Sequence, residues 1–336
     1  MDMRQQQERG RKPSFEEAVD IADEVRQWRR DLRKVIAMRV VAVLLIILAI
    51  GIGGFPTFLQ YQSAQELQNT SDRSAQAVAG WPYPQADEAF AAAKAYNRRL
   101  AASGQPILGE AQDPFSQVQG GSQSSESGAA ESNSASAKDK EYQSLLDSDS
   151  GVMGTIRIPK ISVRLPIYHG TSQSALASGS GHLYGSSLPV GGRSTHAVIT
   201  GHRGLVEAMM FTRLDEMRVG DYFYIEVMGR TLGYKVDRIS VIEPNDTSKL
   251  KIVPDEDRVT LMTCTPYGVN THRLLVSAVR APIPGVVPDE RNAAKDARTI
   301  AIAVSASVLV SGMLLAWLCR RPWHIRRHVA WWPKRG

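Results

Sequence analysis

Val259-Thr260-Leu261-Met262-Thr263-Cys264-Thr265-Pro266-Tyr267-Gly268 reads as a strand that runs into a turn. β-Branched and apolar residues fill its first half, and Pro266 and Gly268 stop it. Arg273 then opens a second run, Leu274-Leu275-Val276. Working outward, Thr155 to Ile158, Val163 to Tyr168, His196 to Ile199, Tyr222 to Val227, Leu232 to Ile242, Arg258 to Thr263 and Arg273 to Val279 share this character, with Gly, Pro and Asn between them. Short strands at such spacing predict a closed or nearly closed barrel. Only short helices fit among them, near Ser174 to Ser178 and Leu205 to Leu214.

The same stretch carries chemistry. Cys264 stands where a rigid strand can present a side chain, and His202, in Ile199-Thr200-Gly201-His202-Arg203-Gly204, stands where another strand meets glycines. A thiol, an imidazole and the Arg273 guanidinium, each at a strand end, are the parts needed for acyl transfer through a thioester. A neighbouring cation raises the thiolate fraction, a fixed cation stabilises the charge that develops on the attacked carbonyl, and an imidazole can protonate a leaving amine. Against this, a strand-end cysteine taken alone is often simply buried. His169, His182, His196 and His272 read as strand, turn or surface residues, and Arg193 and Arg203 as solvated loop cations. No acidic or cysteine partners stand at ligand spacing, so neither a metal nor a cofactor is expected.

Two apolar runs frame this region. Val40 to Leu59 and Thr299 to Leu318 contain no charge, and about 20 residues of helix cross roughly 30 Å of hydrocarbon. Arg26, Arg29, Arg30, Arg33, Lys34 and Arg39 precede the first run, while Arg320, Arg321, Arg326 and Arg327 follow the second. The excess of cations on these flanks predicts that both ends are cytoplasmic and that the segment between lies outside. Trp317, Trp323, Trp331 and Trp332 suit an interfacial belt. The first run is longer than the usual signal-peptide core and is followed by no persuasive cleavage site, which favours an uncleaved anchor.

The net charge of +6 resides in the tail: from Arg320 onward there are six Lys/Arg and no acid. These cations read as topology signals and contacts to anionic membrane lipid, and no nucleic-acid partner is implied. Of the two cysteines, Cys264 falls in the outer segment and Cys319 at the inner end of the second span, where it reads as a small apolar residue or a palmitoylation site. Ala64 to Ala77 and Glu88 to Ala102 favour helix and are separated by the breaker Gly80-Trp81-Pro82-Tyr83-Pro84. Gly120 to about Lys138 is Gly/Ser/Ala/Glu-rich and has too little apolar surface to offset ordering entropy, so a mobile loop is expected there.

Thr263-Cys264-Thr265-Pro266-Tyr267-Gly268-Val269-Asn270-Thr271-His272-Arg273-Leu274-Leu275-Val276, with Gly201-His202-Arg203-Gly204 and Leu165-Pro166-Ile167-Tyr168-His169-Gly170, resembles the class C, pilin-polymerising sortases from about Gly154 to Arg280. The resemblance implies a sortase-type eight-stranded β-barrel, with Cys264 as nucleophile, His202 as its acid/base partner and Arg273 as oxyanion stabiliser. It implies a lid at Asp113-Pro114-Phe115, with Asp113 facing Arg273 and Phe115 shielding Cys264, although an Asp-Pro pair is also an ordinary turn signal. The implied substrate is a Leu-Pro-x-Thr-Gly-like sorting signal cleaved between Thr and Gly, and the implied acceptor is a lysine amine on a pilin subunit. Ile242 to Ile252 and Thr265 to Asn270 occupy the loops that would flank the substrate. A Gram-positive envelope follows by the same resemblance. A cell-wall-anchoring sortase, a non-transferring cysteine protease and a noncatalytic membrane receptor remain open alternatives.

The expected organisation is a mostly β protein with a helical arm and a transmembrane helix at each end. Its parts are a cytoplasmic tail (1–34), a transmembrane helix (35–59), an extracellular helical arm (60–110), a lid and flexible loop (111–150), the catalytic barrel (151–285), a linker (286–298), a second transmembrane helix (299–319) and a basic cytoplasmic tail (320–336).

Overall fold

The computed structural model describes residues 15, 20–106, 108, 134–148, 151–205, 207–290 and 297–319. The chain divides into two compact units, Met1–Phe55 with Ser305–Gly336 and Pro56–Val304.

Helix α1, Ala22–Ala79, is 58 residues long and its sequence passes from the first unit into the second. It contains an 18-residue stretch long and apolar enough to cross a membrane. Large apolar side chains from Val40 to Phe58 are exposed there, as a lipid-facing helix requires. Gly80 and the prolines behind it end the helix, and α2, Gln85–Ala102, follows with Asp87 and Glu88 in its first turn, where they complement the helix dipole.

Within the second unit, these helices are packed against the strands. Leu67 and Val78 of α1 and Phe90 and Ala93 of α2 are buried in one cluster with barrel residues such as Ile156, Ile167 and Ile225. Burying a phenylalanine this way contributes about 1.5–3 kcal/mol. Polar contacts fix the register. Asp72 pairs with Arg164 at 2.7 Å, and the buried Asn97 side chain takes both backbone groups of Leu188, donating to its carbonyl at 2.9 Å and accepting from its N–H at 2.7 Å.

The C-terminal end of the segment expected to be mobile is ordered. Short helices α3, Ala135–Lys138, and α4, Lys140–Ser144, are capped by Ser134 and Asp139, whose side chains accept from Ala137 N–H and Tyr142 N–H. Tyr142 supplies the apolar anchor that composition around Gly120 lacked. It is buried, packs edge-on against His169 and Tyr184, and its hydroxyl lies 2.8 Å from His182 Nδ1.

Eight strands then close a barrel: β1 Val152–Ile158, β2 Val163–His169, β3 Ser180–His182, β4 Thr195–Gly201, β5 Tyr222–Val227, β6 Arg230–Ile242, β7 Asp257–Thr265 and β8 His272–Arg280. Their order around the barrel is β1-β2-β3-β4-β7-β8-β6-β5. β2 with β3 and β4 with β7 are parallel, and the remaining pairs are antiparallel. The interior is filled by Ile156, Ile199, Phe211, Phe223, Leu261 and Val276, all fully buried. A second, smaller apolar cluster, formed by Leu183, Val198, Ile242, Leu250, Met262 and Leu275, has Leu108 packed against it.

The helix expected near Ser174 to Ser178 is α5, Gln173–Ser178, capped by Ser172. The one expected at Leu205 to Leu214 does not form. Gly204 and Met210 have positive φ, and the N–H groups of Gly204 and Phe211 bond to Thr212 Oγ1 and His202 O instead of continuing a helical ladder. Among the described residues, a single 3₁₀ turn, Leu214–Glu216, ends this loop. The last described helix, α6, Ala297–Cys319, has 23 residues and exposes Ile300, Val304, Val308 and Leu309. Among the described residues the membrane-length apolar stretch lies in α1, and α6 contributes a shorter one, Ala303–Leu314.

Candidate active site

Cys264 and Arg273 are cross-strand partners. The antiparallel register of β7 and β8 puts them directly opposite each other, one pair from the turn end, where Thr265 faces His272. Directly opposed residues in such a pair extend to the same face of the sheet. The parallel register of β4 and β7 runs from Thr195 opposite Asp257 to Thr200 opposite Met262. One residue further, Thr263 Oγ1 donates to Gly201 O at 2.7 Å. His202 therefore leaves β4 beside the end of β7 that carries Cys264. The three side chains predicted from sequence come from three adjacent strands and gather at one end of the barrel.

All three are buried: Cys264 is 4% exposed, Arg273 2% and His202 8%. Cys264 packs with Leu176 of α5. Arg273 Nη1 donates to the carbonyls of Asn270 and His272, each at 2.9 Å, so the guanidinium is held by the turn that follows Cys264. Asn270 accepts this role with φ of +60°, a conformation its side chain tolerates better than most. Burial pushes the His202 imidazole below its ordinary pKa.

The sortase domain family matches residues 156–281, a range that begins within β1 and includes Cys264, His202 and Arg273. Streptococcus agalactiae sortase C1, in a crystal structure, is 38% identical; the match covers 65% of this chain and 100% of that one with a TM-score of 0.55. The Streptococcus pneumoniae sortase C structure is 36% identical, again over 65% of this chain and 100% of that one, with a TM-score of 0.54. The chain belongs to the class C sortase family. A curated sortase A from Streptococcus agalactiae is 28% identical over 130 residues, 38% of this chain, and this match spans only 52% of that relative.

One cation beside these residues departs from the sequence expectation. Arg203, expected to be a solvated loop cation, has a side chain only 4% exposed. It pairs with Asp215, and its Nη1 lies 3.3 Å from Thr265 Oγ1 and 3.5 Å from Cys264 O. Its position between His202 and Gly204 was the available signal. Arg193, by contrast, is exposed and pairs with Asp255.

Of the other described histidines, three are buried in the fold. His182 is held between the Tyr142 hydroxyl and Ser187 O, and His196 between Lys251 O and Thr260 Oγ1. Burial depresses both to a pKa of about 4. His169 sits between the carbonyls of Leu145 and Gly151, while His272 is exposed beside Thr271. Among the described residues, no group of three His, Cys, Asp or Glu side chains is arranged to hold a metal. Asp113, Pro114 and Phe115, the expected lid, lie outside the described residues.

Proposed function

We propose that this sortase is a membrane-held cysteine transpeptidase that joins a peptide carrying a sorting signal to an amine. The observation that carries the reading is the cross-strand pairing of Cys264 with Arg273, with His202 leaving the adjacent strand. In this scheme His202 takes the thiol proton and the Cys264 thiolate attacks the threonine carbonyl of a Leu-Pro-x-Thr-Gly-like signal. Arg273 balances the charge that develops on oxygen, an interaction strengthened where water is excluded. The tetrahedral species collapses as the Thr-Gly bond breaks, and His202 gives its proton to the departing glycine amine. A thioester on Cys264 remains. An incoming amine attacks it, passes a proton through His202 and restores the thiol.

The acceptor in this reading is a lysine ε-amine of a pilin subunit. Its support is the 36–38% identity to sortase C structures matched over their whole length, one of which is described in terms of catalysis and pilin substrate specificity. The membrane-length apolar stretch of α1 supports an anchor, and the apolar α6 with the basic segment after it supports a second span with both termini cytoplasmic. Asp113-Pro114-Phe115 acts as the lid in the same reading.

Incubation of the full-length chain, in detergent, with a synthetic sorting peptide and a pilin tests this. Mass spectrometry should find an acyl adduct on Cys264 and lysine-linked pilin oligomers. No adduct in the wild type, or equal product from Cys264→Ala, refutes the mechanism. Adduct transferred only to cell-wall peptide amines would make the enzyme an anchoring sortase, and hydrolysed peptide despite excess amine would make it a protease.

A further inference from the structure

We propose that Arg203 is a positioning residue that locks the strand end carrying His202 to the strand end carrying Cys264. The inference rests on the assignment of those two residues above.

A buried guanidinium costs several kcal/mol in lost hydration unless its donors and charge are satisfied. For Arg203 the partners belong to the two terminal nitrogens, Nε being buried without one, and they have a telling distribution. Asp215, at the end of the loop that follows His202, supplies the counter-charge. The remaining partners belong to one short stretch on the other side of the site: Cys264 O, Thr265 Oγ1 and the Tyr267 ring, whose centroid is 5.8 Å from the guanidinium carbon. Tyr267 returns over the loop, so that a Cβ on Gly204 would lie 3.4 Å from its ring. The stretches 202–204 and 264–267 thus clasp each other, and Arg203 Nη1 keeps its partners only while they do. Asp215 is 41% exposed, so it anchors the guanidinium from the solvent side while the Arg203 side chain stays inside.

The arrangement differs from that of an ordinary surface ion pair. Arg203 follows the proposed acid/base residue directly in sequence and reaches the backbone of the proposed nucleophile. Any loosening of it changes the distance between imidazole and thiol without removing a group that would touch the peptide. The effect should therefore fall on turnover and leave substrate affinity alone. A misplacement of about 1 Å can cost on the order of 100-fold in rate.

The test uses the full-length chain with a synthetic peptide containing Leu-Pro-Ala-Thr-Gly and an amine acceptor, comparing wild type, Arg203→Met, Arg203→Lys and Asp215→Asn. Arg203→Met should lower kcat about 100-fold at unchanged KM. Arg203→Lys, which keeps the charge but loses the fork, should recover part of that loss. Should Arg203→Met fail to fold, Asp215→Asn decides: a lowered kcat at unchanged KM and unchanged Tm supports the proposal. Wild-type kcat in a folded Arg203→Met chain, or loss expressed in KM alone, overturns it. The assignment of Cys264 is judged separately, since its failure would show as absence of an acyl adduct in the wild type.

Discussion

Thr263 Oγ1 donates to the carbonyl oxygen of Gly201 at 2.7 Å, both groups buried, and so links the residue before Cys264 to the residue before His202. Thr263→Val removes the donor while keeping the shape, and leaves Gly201 O short of one partner. A buried polar group deprived this way costs about 1–3 kcal/mol. A lower denaturation midpoint together with a reduced rate of acyl-adduct formation is expected, measured by chemical denaturation and by mass spectrometry. Unchanged values in both would mean that the strand ends are held by the backbone ladder alone.

Arg273 is fixed by a geometry that lysine does not reproduce. Two carbonyls hold its Nη1 and thereby set the orientation of the planar fork. Arg273→Lys preserves the charge, so a purely long-range electrostatic role would survive it. A role that depends on a placed donor would not, and loss of one such donor costs roughly 100- to 1,000-fold in kcat. Steady-state kinetics with a sorting peptide should show a loss of that size.

The sequence exposed the strands whose identity is local and hid those whose identity is not. β7 is rich in β-branched and apolar residues, β8 carries the apolar run Leu274-Leu275-Val276, and their turn is marked by Pro266 and Gly268, so the Cys264 and Arg273 positions were visible at once. β3 was not. Ser180-Gly181-His182 has no β-branched residue, and it is a strand only because parallel β2 and antiparallel β4 lie on either side of it. Arg203 was misread for a related reason: its burial depends on Asp215 and Tyr267, which sequence does not place beside it. The helical character of α1 and α2 was legible, but their docking was not, because Asn97 and Asp72 find partners far along the chain.

His182 and His196 make stability depend on pH. Burial holds each folded-state pKa at about 4, against an ordinary value of about 6.5. Between those values the unfolded chain binds more protons than the folded one, so stability present above about pH 6.5 declines as pH falls towards 4 and levels off below that. At about 1.4 kcal/mol for each pH unit of displacement, each histidine accounts for up to about 3 kcal/mol. Denaturation midpoints measured from pH 7.5 to 4 should fall across this window. His196→Gln, which offers neutral polar groups in the same place, should flatten part of the decline.

Docking of α2 turns on one side chain. Asn97 donates to Leu188 O and accepts from Leu188 N–H, so Asn97→Ala strands two backbone groups in a buried place. A cost of about 1–3 kcal/mol for each is expected. Hydrogen exchange should report the loss as faster exchange across Gln85–Ala102, with the amides of β7 and β8 unaffected. Asn97→Asp retains an acceptor for the Leu188 N–H but sets a carboxylate against the Leu188 carbonyl, and should be no better than alanine.

Gly201 gives the sharpest steric test of how His202 is placed. A methyl group on Gly201 would sit 2.7–3.0 Å from three carbons of the Phe211 ring, which is fully buried and cannot swing into solvent. Phe211 in turn donates its backbone N–H to His202 O at 3.0 Å, so displacement of the ring is transmitted to the imidazole's own residue. Gly201→Ala should therefore cost about 1–3 kcal/mol by overpacking, and lower kcat on the order of 100-fold if His202 moves by about 1 Å. Reducing the ring relieves the clash: Gly201→Ala with Phe211→Leu should be more stable and more active than the two single effects added together, because residues in contact do not behave independently. Strict additivity in Tm and kcat would show that the methyl group meets something other than Phe211.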